Sequence, residues 1–227
     1  MVVRAAKTRK AGVSPSQARI PLTDIAYEEL KHRIITLEYQ PGSYLNEAKL
    51  SDDLEIGRTP VHHAVQRLAH DGLIEMIPRK GLIVKPISLQ DFAEIIEVRM
   101  INEVYCAGLA SQRMTARSAA ELKEILVKAE AFAVDADIES QMMLDREFHD
   151  KISQTAGNRI LADFLRNLHE RSLRIWFVSL NNEKHANRVR SDHWKILEAL
   201  TSGDVETAEE AMRAHIMAFQ LNIGNVL

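Results

Sequence analysis

The sequence predicts a mainly α protein, with an N-terminal winged helix-turn-helix followed by a C-terminal all-α helical bundle. Three observations carry this prediction. Apolar residues recur at helical spacing along most of the 227 positions, and the strand signal is confined to one short hairpin. Aromatic residues make up only 5% of a chain rich in Ala, Leu, Ile and Glu, a balance that suits packed helices better than sandwiches or barrels. With 46% hydrophobic residues, the chain can fill one large core or two modest ones.

Residues 1–22 read as a disordered basic arm, because Arg4, Lys7, Arg9, Lys10 and Arg19 meet no acidic residue before Asp24. Residues 23–86 form the front domain. Its first helix starts at Thr23, carries Ala26, Leu30, Ile34 and Leu37 on one face, and stops before Pro41-Gly42. Asn46 caps a short second helix bearing Leu50 and Leu54, which Gly57 breaks. Thr59-Pro60 begins a third helix, with threonine as the cap and proline in the first turn. Beyond Gly72, the run Leu73–Ile77, the turn Pro78-Arg79-Lys80-Gly81 and the run Leu82–Val84 predict a hairpin with a cationic tip.

The third helix turns Val61, Val65 and Leu68 inward. It leaves His62, His63, Gln66, Arg67 and His70 outward, with Arg58 and Thr59 at its start. Alone, such a face reads as solvated. Beside a basic hairpin it reads as a face for the major groove of double-stranded DNA, with Arg79 and Lys80 on the phosphate backbone.

These residues carry a resemblance. The segment from Ala26 to Pro86, with Pro41-Gly42, Arg58-Thr59-Pro60-Val61, Arg67-Leu68, Gly72-Leu73-Ile74 and Gly81, resembles the winged helix of GntR-type bacterial transcription regulators. The resemblance implies that Arg58 and Thr59 contact DNA, supported by Arg67 and the wing at Lys80-Gly81. This chain departs from the usual pattern at Gly57, where serine is common, and at His62-His63, where Arg-Glu is common. A neutral histidine offers one donor where arginine offers a fork, so the DNA sequence read should differ.

Residues 87–227 read as all helix. Ser88 with Asp91 looks like a capping pair, and segments at about 89–113, 117–134, 138–156, 159–180, 185–202 and 205–224 follow, punctuated by Gly157-Asn158 and Gly203-Asp204. Asp145 and His149 share one inward face with Met142 and Ile152. His193 heads the stripe of Ile196, Leu197 and Leu200, and His215 lies among Ala211, Met212, Ala218 and Phe219. Each histidine singly fits a hydrogen-bonded core residue. All four polar groups together fit a shared divalent cation, since leaving buried polar groups unpaired costs roughly 1–3 kcal/mol each. His169 and His185 show no comparable neighbour.

The resemblance extends through these residues to the FCD effector domain of the FadR subgroup, so the bundle is FCD-like. It implies that Asp145, His149, His193 and His215 are metal ligands. Nitrogen-rich ligation suits zinc, nickel, iron or manganese better than calcium. Three neutral imidazoles, one carboxylate and a divalent ion keep a formal charge of about +1, which suits a small organic acid as effector. In the first helix of this domain, Arg99 and Asn102 interrupt an apolar stripe of Phe92, Ile95, Ile96, Cys106 and Leu109. Arg99 either clamps an effector carboxylate or pairs with Glu103 or Glu94. The resemblance also places effector contact at Arg99.

Charge fits this division. Residues 1–86 hold 13 Lys and Arg against 10 Asp and Glu, and residues 87–227 hold 16 against 22, so nucleic acid is expected at the front only. A lone Cys106 and no membrane-length apolar run predict a cytoplasmic protein. The reading is a homodimeric repressor or activator responding to a small carboxylate, not an enzyme. A sensor of the metal itself is the alternative. A metal-dependent hydrolase or isomerase is a weaker one, because no His-Glu-x-x-His, nucleophile elbow or phosphate loop occurs.

Overall fold

The computed structural model describes residues 20–78, 81–86, 88–134, 137–180 and 183–223. Most of the expected basic arm, and Arg79 and Lys80 at the hairpin tip, lie outside these residues. The front domain begins with α1 (Leu22–Ile35), which buries Ala26, Tyr27, Leu30 and Ile34. The helix ends short of Leu37, which the apolar spacing had included. There the Thr36 hydroxyl donates to the His32 carbonyl, and Leu37 turns to φ +62°.

Asn46 caps α2 (Glu47–Leu54) as expected, its side-chain oxygen accepting from the amides of Ala48 and Lys49. The next helix, α3 (Arg58–His70), differs from expectation at its start. Gly57 occupies the cap and has no side chain to offer, so Thr59 and Pro60 fall inside the first turn. Thr59 therefore presents its hydroxyl to solvent.

Strands β2 (Ile74–Ile77) and β3 (Gly81–Val84) form the hairpin, in register from Ile74 opposite Val84 to Ile77 opposite Gly81. A two-residue strand, β1 (Tyr44–Leu45), which sequence patterning did not reveal, pairs with the other edge of β3. Gly81 closes the turn at φ +102°, a conformation that side-chain-bearing residues rarely adopt. Leu30, Ile34, Val61, Val65, Leu68, Ile74 and Val84 fill the core beneath this sheet.

The second domain comprises α4 (Leu89–Gln112), α5 (Ala116–Val134), α6 (Ile138–Thr155), α7 (Arg159–Leu180), α8 (Glu183–Ser202) and α9 (Val205–Ile223). The Ser88 hydroxyl accepts from the Asp91 amide to start α4. Gly157 and Gly203, both at positive φ, end α6 and α8. Helix α4 runs through the middle, packed against α6, α7, α8 and α9. No described helix is long and apolar enough to cross a membrane.

The domains meet along α7. Arg174 donates from Nη1 to the Lys85 carbonyl at 2.5 Å, at the point where the chain leaves the hairpin. Glu170 takes Lys31 of α1 on one oxygen and Arg146 of α6 on the other. His32 adds a contact of 2.7 Å to Glu139 at the start of α6.

Replacing the cap tests the local assignment of α2. Asn46→Ala should lower the stability of the front domain by about 1 kcal/mol, read as an earlier urea transition of unchanged slope. An unmoved midpoint would remove the cap from the account.

Candidate functional site

Among the described residues, two places gather the polar chemistry of interest. The first is the outer end of α3. Arg58, Thr59 and His63 are exposed there, with Gln66 one turn further on. His62 is held by Glu47 of α2, with Nδ1 at 3.1 Å from Oε2, and its Nε2 meets Gln66 at 3.0 Å. Arg67, expected to support the DNA contact, is exposed and also reaches back to α1. Its Nη1 donates to Asp24 at 2.5 Å, and its guanidinium lies over the Tyr27 ring at 4.0 Å. The salt bridge and cation–π contact together use Arg67 to brace α3 against α1. Gly81 is exposed at the start of β3, while the expected contacts from Arg79 and Lys80 lie outside the described residues.

The second place is the interior of the helical domain. His149 from α6, His193 from α8 and His215 from α9 are all at most 4% exposed. One ring nitrogen from each falls within 4.8 Å of the others. Ring centroids of His193 and His215 lie 4.8 Å apart, and those of His149 lie 5.3 Å from each. Phe148 stacks on His193 at 4.5 Å and fixes its plane. Asp145, one helical turn before His149, puts Oδ1 at 3.3 Å from His193 Nε2, on the edge of this group. The structure thus brings the three histidines into one group and places Asp145 beside one of them, His193.

The nitrogens themselves suggest what they can hold. His149 Nε2 and His193 Nε2 are buried without an aligned hydrogen-bond partner. Burial pushes His193 and His215 well below the ordinary imidazole range, reinforced by the neighbouring histidines and Arg99. Burial raises the Asp145 carboxyl, against the pull of His149 and Arg99. Clustered, buried imidazole nitrogens beside a carboxylate are a donor set that fits a divalent transition metal.

Arg99 borders the same chamber and is 1% exposed. Its Nε donates to Glu103 at 2.5 Å, while Nη1 and Nη2 have no partner. The ion pair with Glu103, one of the two readings of this arginine, is therefore present, and it leaves the fork's outer donors unspent. Trp176 and Phe219 flank the guanidinium at 5.1 and 5.3 Å. Arg99, Asp145, Trp176, His185 and His215 line a cavity of about 10 Å³, room for about one water. Asn102 does not reach it. Its side-chain amide donates to the Val98 carbonyl of its own helix at 2.8 Å, a local bond that competes with outward reach.

Sequence reasoning gave no role to His169 and His185. His169 is 1% exposed and sits 3.0 Å from Glu103 through Nε2. Burial lowers it below the usual imidazole range despite that carboxylate. The signal was present in α7, where Leu165, Leu168, His169, Ser172 and Trp176 follow one buried helical stripe.

This architecture defines a winged-helix DNA-binding regulator with a separate helical domain enclosing a polar chamber. Residues 22–84 match the family described as bacterial regulatory proteins, gntR family, and residues 94–218 match the FCD domain. The chain belongs to the GntR family of transcriptional regulators, in the FadR-like group that carries an FCD domain. It is 24% identical over 219 residues to the HTH-type transcriptional repressor RspR of Escherichia coli K12, covering 96% of this chain and 95% of that one. It is 25% identical over 202 residues to the regulator LutR of Bacillus subtilis, covering 79% and 90%. Among solved structures, E. coli McbR/YncC superposes with a TM-score of 0.77 at 24% identity, over 91% of this chain and 97% of that one.

The buried histidines make stability depend on pH in a definite direction. His169, His193 and His215 hold protons less readily folded than unfolded. The unfolded chain therefore binds the extra protons below its imidazole pKa of about 6.5. Their contribution is full above that pH and is lost as pH falls below it. Urea midpoints of chelator-treated protein should drop steadily from about pH 7 to pH 5. A flat profile across that window would mean these imidazoles titrate as in free peptide.

Proposed function

We propose that this GntR-family regulator binds DNA as a homodimer and changes its DNA affinity when a small carboxylate enters a metal-containing chamber of its FCD domain. The observation that carries the reading is the clustering of the buried His149, His193 and His215 nitrogens beside Asp145, with Arg99, whose Nη1 and Nη2 have no hydrogen-bond partner, lining a small cavity together with Asp145 and His215. Asp145, His149, His193 and His215 would hold a divalent transition metal, with zinc, nickel, iron and manganese all suited to the donors. When bound, the ion supplies a fixed positive centre for an anion. Arg99 supplies the directional part, since its free Nη atoms can meet both oxygens of a carboxylate.

The effector cannot enter the chamber at its present volume of about 10 Å³. Entry would therefore require lining residues to move, among them Trp176, Ser179 and Leu180 on α7. Helix α7 also carries Glu170 and Arg174, which hold the winged helix. Binding in the chamber and placement of the DNA-reading domain thus share one element, and the influence runs equally in both directions. Dimerisation fits the two-fold symmetry of typical half-site pairs read by helix-turn-helix proteins.

On the DNA side, Arg58, Thr59 and His63 are the exposed groups we assign to base and phosphate contact, with the wing from Gly81 beside them. The small volume of the chamber favours a second reading, in which the metal alone is the signal. Metal-loaded and chelated protein, assayed on duplexes selected from a random pool, separate the two. A change in DNA affinity that needs both metal and an added small carboxylate supports the proposal, and a change with metal alone supports the second reading.

Two substitutions check the roles. Arg58→Ala should cost about 1–3 kcal/mol of specific DNA affinity without moving the melting temperature, and undiminished footprinting would refute the assignment. Arg99→Lys keeps a cation beside Glu103 but removes the fork. It should abolish the carboxylate response of DNA binding while DNA affinity without effector stays the same.

A further inference from the structure

Glu103 on α4 is 2% exposed and stands at the centre of the buried charges. Its Oε1 accepts from Arg99 Nε at 2.5 Å and lies 3.0 Å from His169 Nε2. Its Oε2 lies 2.9 Å from His149 Nδ1, a charge contact that is not aligned as a hydrogen bond. Glu103, His149 and His169 also satisfy the distances of a ligand group for a second ion. The guanidinium of Arg99 already fills the cation's place there, so a different role follows.

An ionised carboxylate only accepts hydrogen bonds. Each imidazole nitrogen that faces Glu103 is therefore favoured in its N–H form. For His149 this puts the proton on Nδ1 and leaves the lone pair on Nε2, the atom without a partner inside the histidine cluster. For His169 it puts the proton on Nε2. His169 and Arg99 then brace the carboxylate from one oxygen, leaving the other for His149.

We infer that Glu103 is the positioning residue of the metal centre, a carboxylate that fixes the His149 tautomer and ring orientation and thereby sets metal affinity. This rests on the reading of His149 as a ligand. Partners of this kind raise the basicity of the ligating nitrogen, and their loss typically costs about 10–100-fold in metal affinity. Because Arg99 Nε shares the same carboxylate, Glu103 also joins the anion-clamping fork to the metal through one side chain.

The test is zinc titration of full-length wild type and Glu103→Gln against a chromophoric chelator, with imidazole nitrogen NMR of wild type in the absence of metal. The expected results are a zinc affinity about 10–100-fold weaker in the variant, and a His149 signal protonated at Nδ1 in wild type. Unchanged zinc affinity in a folded variant overturns the inference, as does protonation of His149 at Nε2 in wild type. If Glu103→Gln fails to fold, the wild-type tautomer alone decides. Wild type that binds no zinc, nickel, iron or manganese sinks the metal reading and this inference with it. Tight zinc binding with the wrong tautomer sinks only this inference.

Discussion

The helical domain depends on a buried ion pair, Arg99 with Glu103, at 1% and 2% exposure. Such a pair is a poor source of stability. Desolvating two charges offsets most of their attraction, and a well-packed apolar pair is often as good or better. Removing one partner alone is strongly unfavourable, because the other charge stays buried. Burial would raise the Glu103 carboxyl, yet Arg99, His169 and His149 hold it well below the usual carboxylate range. The carboxylate is thus ionised because its neighbours are there, and the two residues stand or fall together.

From that pair the arrangement spreads to other helices. Helix α4 brings Arg99 and Glu103, α6 brings Asp145 and His149, α7 brings His169 and Trp176, α8 brings His193, and α9 brings His215. The aromatic rings do more than fill space. Phe148 stacked on His193 and Trp176 beside Arg99 restrict how these polar groups can turn. A bundle whose helices are linked through charge in this way cannot shift one of them without disturbing the rest. Helix α7 carries that constraint outward, since its opposite face holds Lys31 and the Lys85 carbonyl of the winged helix.

Much of this was legible in the sequence. The apolar period fixed which way Asp145, His149, His193 and His215 face, and capping chemistry located α2 at Asn46 and α4 at Ser88. Periodicity tells which residues turn inward or outward, but not what they meet. Arg67 lies on the outer stripe of α3, yet its long side chain bends back to Asp24 and Tyr27. Asn102 lies near the inner stripe of α4, but a carbonyl one turn earlier satisfies its amide. Thr59 has the chemistry of a cap, and Gly57 two residues earlier takes that place in the backbone. His169 was passed over because its partner, Glu103, is 66 residues away and on another helix.

The charges of the chamber also explain why a metal and an acid suit it together. Arg99 and Glu103 cancel, and burial, with His149 and Arg99, pushes His193 and His215 toward the neutral form. Asp145 is the remaining acidic group, and burial raises its carboxyl despite the pull of His149 and Arg99. A divalent cation would reverse that condition, stabilising the ionised carboxylate and completing the lone pairs of the imidazoles. The charge left over would then be about +1, beside two guanidinium donors with nothing to bind. A monoanionic carboxylate would match both the charge and the donors, whereas a neutral ligand would leave the charge of the guanidinium unmatched.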